Sequence, residues 1–234
     1  MGCKFNISDQ NIDNNCTNKS IEQQYKFFSE IVHESKNALT ACEGFIQFML
    51  IKKIFNAEYL EIVLSELRRT TDILNSYKHV AAPDNNEEYC NLNNIISEVC
   101  TLLSSRFNLR QITLNLSFSD IPVLEVDCNK IKQVILNLLE NAIDAIGKMG
   151  TISITTFYDD NKITLIIKDS GCGIDDEVKE KLFTPFFTTK TNGTGLGLHI
   201  SKSIIEGYGG TIKVESLKGN GTEFTIELPL KPDT

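Results

Sequence analysis

Residues 163–174 read Ile-Thr-Leu-Ile-Ile-Lys-Asp-Ser-Gly-Cys-Gly-Ile. An apolar, β-branched run stops at Asp169 and gives way to two glycines, which predicts a buried strand running into a turn. Ile152 and Ile154 upstream alternate with polar residues, and Asp159-Asp160-Asn161 turns the chain, so the two strands form a hairpin. Downstream, Gly193-Thr194-Gly195-Leu196-Gly197-Leu198 opens a helix reaching about Glu206. A second hairpin follows, Thr211 to Glu215 and Thr222 to Leu228, around Lys218-Gly219-Asn220-Gly221. On the other side lie a helix around Asn93 to Ser105, strands near Ile112 to Phe118 and Val123 to Val126, and a helix with Asp127 as N-cap. These elements make one mixed domain over residues 90–230, with 231–234 as a tail and no internal repeat.

The half that precedes it has a different rhythm. From Phe28 a seam runs at 4/3 spacing through Val32, Ser35, Leu39, Cys42, Ile46 and Met49, the pattern of a long helix with a coiled-coil-like face. After a break near Phe55-Asn56, Leu60, Val63, Leu67, Thr70, Leu74, Tyr77 and Ala81 repeat it. Residues 21–82 therefore read as a helical hairpin, and two such hairpins enclose their stripes in a four-helix bundle, which predicts a homodimer. Residues 1–20, rich in Asn, Asp and Ser, read as a disordered polar tail too short for a sensor domain. Residues 83–89, with Pro83-Asp84-Asn85-Asn86, read as a linker. The fold class expected is α+β, a dimeric hairpin followed by a sandwich domain.

Composition narrows the partners. With 234 residues, 41% hydrophobic and 23% charged, and a formal charge of −8, the chain has cores to bury and no basic surplus for nucleic acid or an anionic bilayer. It has no run of about eighteen apolar residues to insert in a membrane and no signal-peptide pattern. Met1-Gly2-Cys3 invites a lipidation reading, but Asn6 stands where myristoylation wants Ser or Thr. Seven cysteines, an odd count without C-x-x-C, point to neither a disulfide framework nor a zinc knuckle, and so to a reducing cytoplasm.

In the helix after Asp127, Ile131, Val134, Leu138, Ala142 and Ala145 form the buried stripe, while Asn137, Asn141 and Asp144 share another face. Amide carbonyls are oxygen ligands suited to Mg²⁺, although a solvated face explains the same residues. Asp169, ionised, accepts from the exocyclic amine of adenine and opposes the carbonyl of guanine, which favours ATP over GTP. Gly171 and Gly173 allow close backbone approach, although Asp-x-Gly-x-Gly alone also fits a plain turn. Gly193, Thr194, Gly195, Leu196 and Gly197 present backbone N–H groups to phosphate, with the Lys190 charge nearby. Phe183 to Asn192 has the makings of a lid, although aromatic packing alone explains its Phe residues equally well.

The ordered set Asn137-x-x-x-Asn141, Asp169-x-Gly171-x-Gly173, Phe183-x-Pro185-Phe186-Phe187, Gly193-x-Gly195-x-Gly197 and Gly221-Thr222 resembles the ATP-binding domain of bacterial sensor histidine kinases. The resemblance covers residues 90–230 and implies the Bergerat-type α/β sandwich shared with gyrase and MutL. It implies ATP and Mg²⁺ as cofactors, with Asn141 and Asn137 at the metal and Thr222 in the nucleotide site. The superfamily's ATPases carry a Glu base where this chain has Asn137. An amide takes no proton from water, which favours transfer to another nucleophile.

That nucleophile is expected in the hairpin, where His33-Glu34-Ser35-Lys36-Asn37-Ala38-Leu39-Thr40 is similar to the family's H box. His33 lies one residue off the seam, at the bundle surface. In the family the adjacent acid, here Glu34, holds the other ring nitrogen, and Glu34-x-x-Asn37 orients water in a phosphatase reaction. The chain departs from the pattern with Ala38 for Pro, Ser35 for an aliphatic residue and Lys36 for Arg. The implied activity is autophosphorylation of His33 from ATP and transfer to an Asp of a response regulator, with phosphatase activity as a second function. The H box, Gly44-Phe45-Ile46-Gln47 and the lid's Phe-Thr-Thr-Lys look like the sporulation-kinase branch, and input is expected from a separate sensor or regulator protein, from the tail, or from concentration alone. Two rivals remain open: a response-regulator phosphatase or phosphorelay docking module using ATP as a conformational ligand, and a serine kinase of the anti-sigma type. His79 and His199 read as structural.

Overall fold

The computed structural model describes residues 10–81, 88–190 and 193–230. The chain divides into two compact units, Met1–Lys78 and His79–Thr234.

The first unit is a hairpin of α1 (Gln10–Lys52) and α2 (Ala57–Ala81). Lys53 turns left-handed at φ 52°, and the amides of Lys53 and Ile54 donate to Leu50 and Met49 carbonyls at 3.3 and 3.1 Å, so the last carbonyls of α1 are satisfied. Asn56 Oδ1 accepts from the Glu58 amide at 2.8 Å and caps α2. Between the helices lie Ile31, Ser35, Ala38, Cys42 and Met49 of α1 with Val63 and Thr70 of α2, all buried. The expected seam therefore splits. Ser35, Cys42 and Met49 face the partner helix of the same chain, while Val32, Leu39, Ile46, Leu67 and Leu74 remain exposed.

The second unit has β1 (Glu88–Cys90), α3 (Leu92–Leu102), α4 (Ser104–Arg110), β2 (Ile112–Phe118), β3 (Leu124–Val126), α5 (Cys128–Ile146), β4 (Gly150–Asp159), β5 (Lys162–Asp169), α6 (Asp176–Lys179), α7 (Gly197–Gly207), β6 (Thr211–Ser216) and β7 (Thr222–Pro229). The main sheet has the order β2-β4-β5-β7-β6, and β1 with β3 makes a separate two-stranded piece. Only the β2–β4 pair in the main sheet is parallel. Asp127 caps α5 by accepting from the Asn129 and Lys130 amides at 2.8 and 3.2 Å. Alternate residues of β4, β5 and β7 (Ile152, Ile154, Ile163, Leu165, Ile167, Ile226 and Leu228) are buried with the apolar faces of α3, α5 and α7. This is an α/β sandwich, helices on one face of a mixed sheet.

Several boundaries differ from expectation. Helix α1 begins at Gln10, so residues 10–20, expected within a disordered tail, are helical; without Gly or Pro, an established helix extends at one hydrogen bond per residue fixed. Residues 1–9 lie outside the described residues. Strand β1 takes up 88–89, the last residues expected as linker, because it pairs with distant β3 from Glu88↔Val126 to Cys90↔Leu124. The helix expected over Asn93–Ser105 breaks at Leu103 and resumes as α4. Helix α5 also buries Ile135, Leu139 and Ile143, since it lies between the sheet and its neighbouring helices. The absence of disulfides is corrected too: Cys90 and Cys128 are bonded, with Cα atoms 5.9 Å apart. Their separation of 38 residues gave no signal, because the strand that carries Cys90 was not foreseen. Among the described residues no helix is long and apolar enough to cross a membrane.

Candidate functional site

One end of the site is built where β5 and β7 lie side by side. Asp169 ends β5 opposite Thr222 and is buried. Its Oδ1 accepts from the Gly171 amide at 2.7 Å and the Thr222 amide at 3.2 Å. Burial nonetheless raises the carboxyl above its ordinary range, against the lowering effect of those two bonds. Both bonds fall on Oδ1, which leaves Oδ2 as the acceptor for a ligand. Gly221 turns left-handed at φ 84°, and a Cβ there meets the Asp169 carbonyl oxygen. Gly171 lies against the backbone of Ala145 at the end of α5, and the Cys172 amide donates to the Ala145 carbonyl at 3.1 Å. Gly173, at φ 68°, lies against Leu217, and Gly219 N–H donates to the Cys172 carbonyl at 2.7 Å. Asp169, Gly171, Gly173 and Thr222, expected together, are brought together.

The other end is built where α5 meets α7. Asn137 Nδ2 donates to Ser201 Oγ at 2.9 Å, and Ser201 Oγ donates to the Gly197 carbonyl at 2.9 Å. A Cβ at Gly197 collides with Asn137 Oδ1, so glycine there is what lets the amide lie against the start of α7. One turn on, Lys190 Nζ donates to Asn141 Oδ1 at 2.7 Å and Asp144 Oδ2 at 2.8 Å. An ammonium has donors only, which fixes the Asn141 carbonyl as the atom facing it. A cation thus rests on the amide oxygen expected to take Mg²⁺, so the donor set fits a cation. Asp144 is further tied through Arg106 at 3.3 Å, and Arg106 reaches Glu140 at 2.6 Å.

The segment between these ends folds over itself. Phe186 adopts φ 62°, and Gly195, at φ 68°, packs on its backbone. The Lys190 amide donates to Thr188 Oγ1 at 3.0 Å, and Gly193 N–H donates to the Lys190 carbonyl at 3.2 Å. Leu196 is fully buried and caps α7 without a side-chain acceptor, which leaves the first amides of α7 for an anion. The Leu196 amide reaches Thr194 Oγ1 at 3.4 Å. His199 Nδ1 lies 3.1 Å from the Phe183 carbonyl and donates to it, and Lys202 Nζ lies 5.4 Å from the Phe183 ring centroid. His199 thus anchors the base of this segment. Residues 191–192 lie outside the described residues.

His33 and Asn37 stand exposed on α1, four residues apart and one turn from each other. The Glu34 and His79 side chains lie outside the described residues. Ser35 Oγ is buried and finds no partner among the described residues. Sequence reasoning missed Ser201, which holds Asn137, and left Asp144 without a role although it shares the face of Asn141. The i+4 step from Gly197 to Ser201 on a helix that opens at a glycine-rich turn was the available signal.

The fold and the two ends of the site define a nucleotide-binding domain, and residues 126–232 match the family of histidine kinase-, DNA gyrase B- and HSP90-like ATPases. The catalytic domain of the histidine kinase ThkA is 40% identical, with a TM-score of 0.57 over 62% of this chain and 95% of that one. ThkA in complex with the response regulator protein TrrA aligns over 98% of this chain and 69% of that one, at 29% identity and a TM-score of 0.73. Sporulation kinase A of Bacillus subtilis (strain 168) is 40% identical over 204 residues, and AtoS, a signal transduction histidine-protein kinase of Escherichia coli (strain K12), is 35% identical over 207. Each match covers 86% of this chain, which spans about a third of those relatives, 34% of each. The chain belongs to the histidine kinase family, and its second unit is an ATP-binding domain.

Proposed function

We propose that the protein is a two-component histidine kinase that transfers the γ-phosphoryl group of ATP to His33 and then to an aspartate of a response regulator. The observation that carries this reading is the pairing of an exposed histidine, in an H box on α1, with an ATP site that has no base at Asn137. That amide is occupied with Ser201, and neither its nitrogen nor its oxygen accepts a proton from water.

Asp169 Oδ2 takes the adenine amine, the glycines around Gly171 and Gly173 admit the base, and Thr222 fixes the Asp169 rotamer through its amide. The free amides of α7 and the Lys190 ammonium hold the phosphates. Asn141, with Asn137 one turn before it, holds Mg²⁺, which when bound neutralises phosphate charge during transfer. A neutral ring nitrogen of His33 uses its lone pair to form the N–P bond as the P–O bond to the β-phosphate breaks, and ADP leaves with those electrons. Glu34 holds the proton of the other ring nitrogen. In the second step a carboxylate oxygen of the regulator's aspartate forms the O–P bond and the N–P bond breaks back to the imidazole.

The exposed stripe of Val32, Leu39, Ile46, Leu67 and Leu74 supports a homodimer in which two hairpins close a four-helix bundle. The domains we propose are the hairpin through residue 82, a linker over 83–87 and the catalytic domain to residue 230, with the activity in the cytoplasm. The sporulation-kinase branch is the assignment we favour. A second reading, a response-regulator phosphatase or relay module using Glu34 and Asn37, draws on α1 running unbroken across Ala38, where the family's Pro bends the helix.

The test is incubation of the wild type and His33→Ala with γ-labelled ATP and Mg²⁺. The kinase reading expects acid-labile, alkali-stable label that is lost in the variant. Nucleotide binding without label supports the relay module, and acid-stable label overturns both in favour of a serine kinase.

A further inference from the structure

The Cys90–Cys128 pair includes none of the residues assigned above to the nucleotide or to phosphoryl transfer. Strand β1 has three residues and a single neighbour, β3, too little pairing for stability by itself. The disulfide fastens its last residue to the first residue of α5 and closes a loop across 38 residues that includes α3, α4, β2 and β3.

We infer that Cys90 and Cys128 are a reversible thiol–disulfide modification site that clamps β1 to α5, with small-molecule disulfides such as glutathione disulfide as co-reactant. Three observations carry it. Cys128 is half-buried while Cys90 is buried, so Cys128 is the partner an incoming thiol reaches more readily. Cys128 heads the 19-residue helix α5 while Cys90 ends the three-residue strand β1, so the bond ties a marginal strand to a long helix. The Cys90 sulfur lies 3.5 Å from the carbonyl oxygens of both Glu88 and Val126, so the thiol formed on opening already has acceptors. A buried bond that breaks without orphaning its product has two states available to it. Where a protein works on cytoplasmic ATP, as proposed above, a disulfide is characteristically transient.

The chemistry balances. The Cys128 thiol loses its proton to solvent, attacks one sulfur of glutathione disulfide and releases one glutathione. The Cys90 thiol loses its proton, displaces the second glutathione from the mixed disulfide and forms the Cys90–Cys128 bond. Two protein thiols are oxidised and one disulfide is reduced to two thiols. Opening reverses the order, attack on Cys128 freeing Cys90. The reduced state leaves β1 held by its pairing with β3 alone.

The test equilibrates the full chain in glutathione redox buffers, quenches with acid, alkylates free thiols and reads each cysteine peptide by mass spectrometry. It needs no kinase activity, so its failure is distinct from failure of the proposed function. The peptides of Cys90 and Cys128 are expected to lose alkylation together, while Cys42, Cys100 and Cys172, free in the structure, do not pair with them. Cys90→Ser is expected to leave Cys128 as a mixed disulfide with glutathione, and Cys128→Ser to leave Cys90 unmodified. Closing the loop is expected to raise the melting temperature by roughly 10 °C and to slow amide exchange in β1, both effects absent in either variant. Independent alkylation of the two cysteines across all buffers overturns the proposal. So does bound zinc with both thiols intact, since Glu88, Cys90 and Cys128 place ligand atoms within 4.8 Å of one another.

Discussion

At Asp169 a single carboxylate holds the Gly171 and Thr222 amides through Oδ1 and, in the proposed function, presents Oδ2 to the base. Asp169→Ala is expected to weaken ATP binding about 10- to 100-fold, the worth of a charge-assisted hydrogen bond, and to erase discrimination against GTP in calorimetric titrations. Burial raises this carboxyl, so binding of adenine, which needs the ionised acceptor, falls as pH drops through the raised value. Its stability contribution has the opposite sign. The folded state holds the proton more tightly, so that contribution is complete below the ordinary carboxyl range and is lost as pH rises through the raised value. Urea titrations with and without ATP across that range separate the two.

Lys190 resting on Asn141 and Asp144 has a measurable counterpart. A divalent cation reaches the Asn141 oxygen only after the ammonium leaves, and Asp144 helps to hold the ammonium there. The Lys190 and Asp144 side chains are 43% and 37% exposed, so the pair is worth at most about 1 kcal/mol. Asp144→Asn is expected to tighten Mg²⁺-dependent nucleotide binding up to about fivefold, and Lys190→Ala to weaken it through loss of a phosphate contact. Ser35 is a different case. Its buried hydroxyl has no partner among the described residues, so Ser35→Ala is expected to stabilise the hairpin by about 1 kcal/mol, read as a raised urea midpoint at unchanged slope.

At the scale of elements, legibility followed locality. Strand β2, the cap at Asp127, the 159–161 turn and the start of α7 stand where the residues placed them, because each is set by alternation, capping or turn chemistry within a few residues. Strand β1 was not legible, since Glu88-Tyr89-Cys90 forms a strand only through β3, more than thirty residues on. The break at Leu103 was equally hidden, as α4 continues the helical composition. The Asn137–Ser201 bond and the Cys90–Cys128 bond were missed for the same reason, both being contacts between distant segments. In the hairpin the 4/3 seam divides between two environments within a single chain. Ser35, Cys42 and Met49 are buried within one chain, whereas Leu39 and Ile46 are exposed. Leu39→Glu with Ile46→Glu is therefore expected to convert the proposed dimer to monomer in sedimentation equilibrium while leaving ATP affinity within twofold, roughly the independence of distant sites.

For the whole molecule, the proposed kinase needs both units, the exposed His33 on α1 as nucleophile and a nucleotide site without a hydrolytic base at Asn137 as phosphoryl donor. The most direct measurement is localisation of phosphate on the intact chain after reaction with ATP and Mg²⁺, by fragmentation mass spectrometry at neutral to alkaline pH. One phosphoryl group on the His33 ring nitrogen is expected. Phosphate on Ser35 or Thr40 within the same peptide, or none anywhere while ATP is bound, contradicts it.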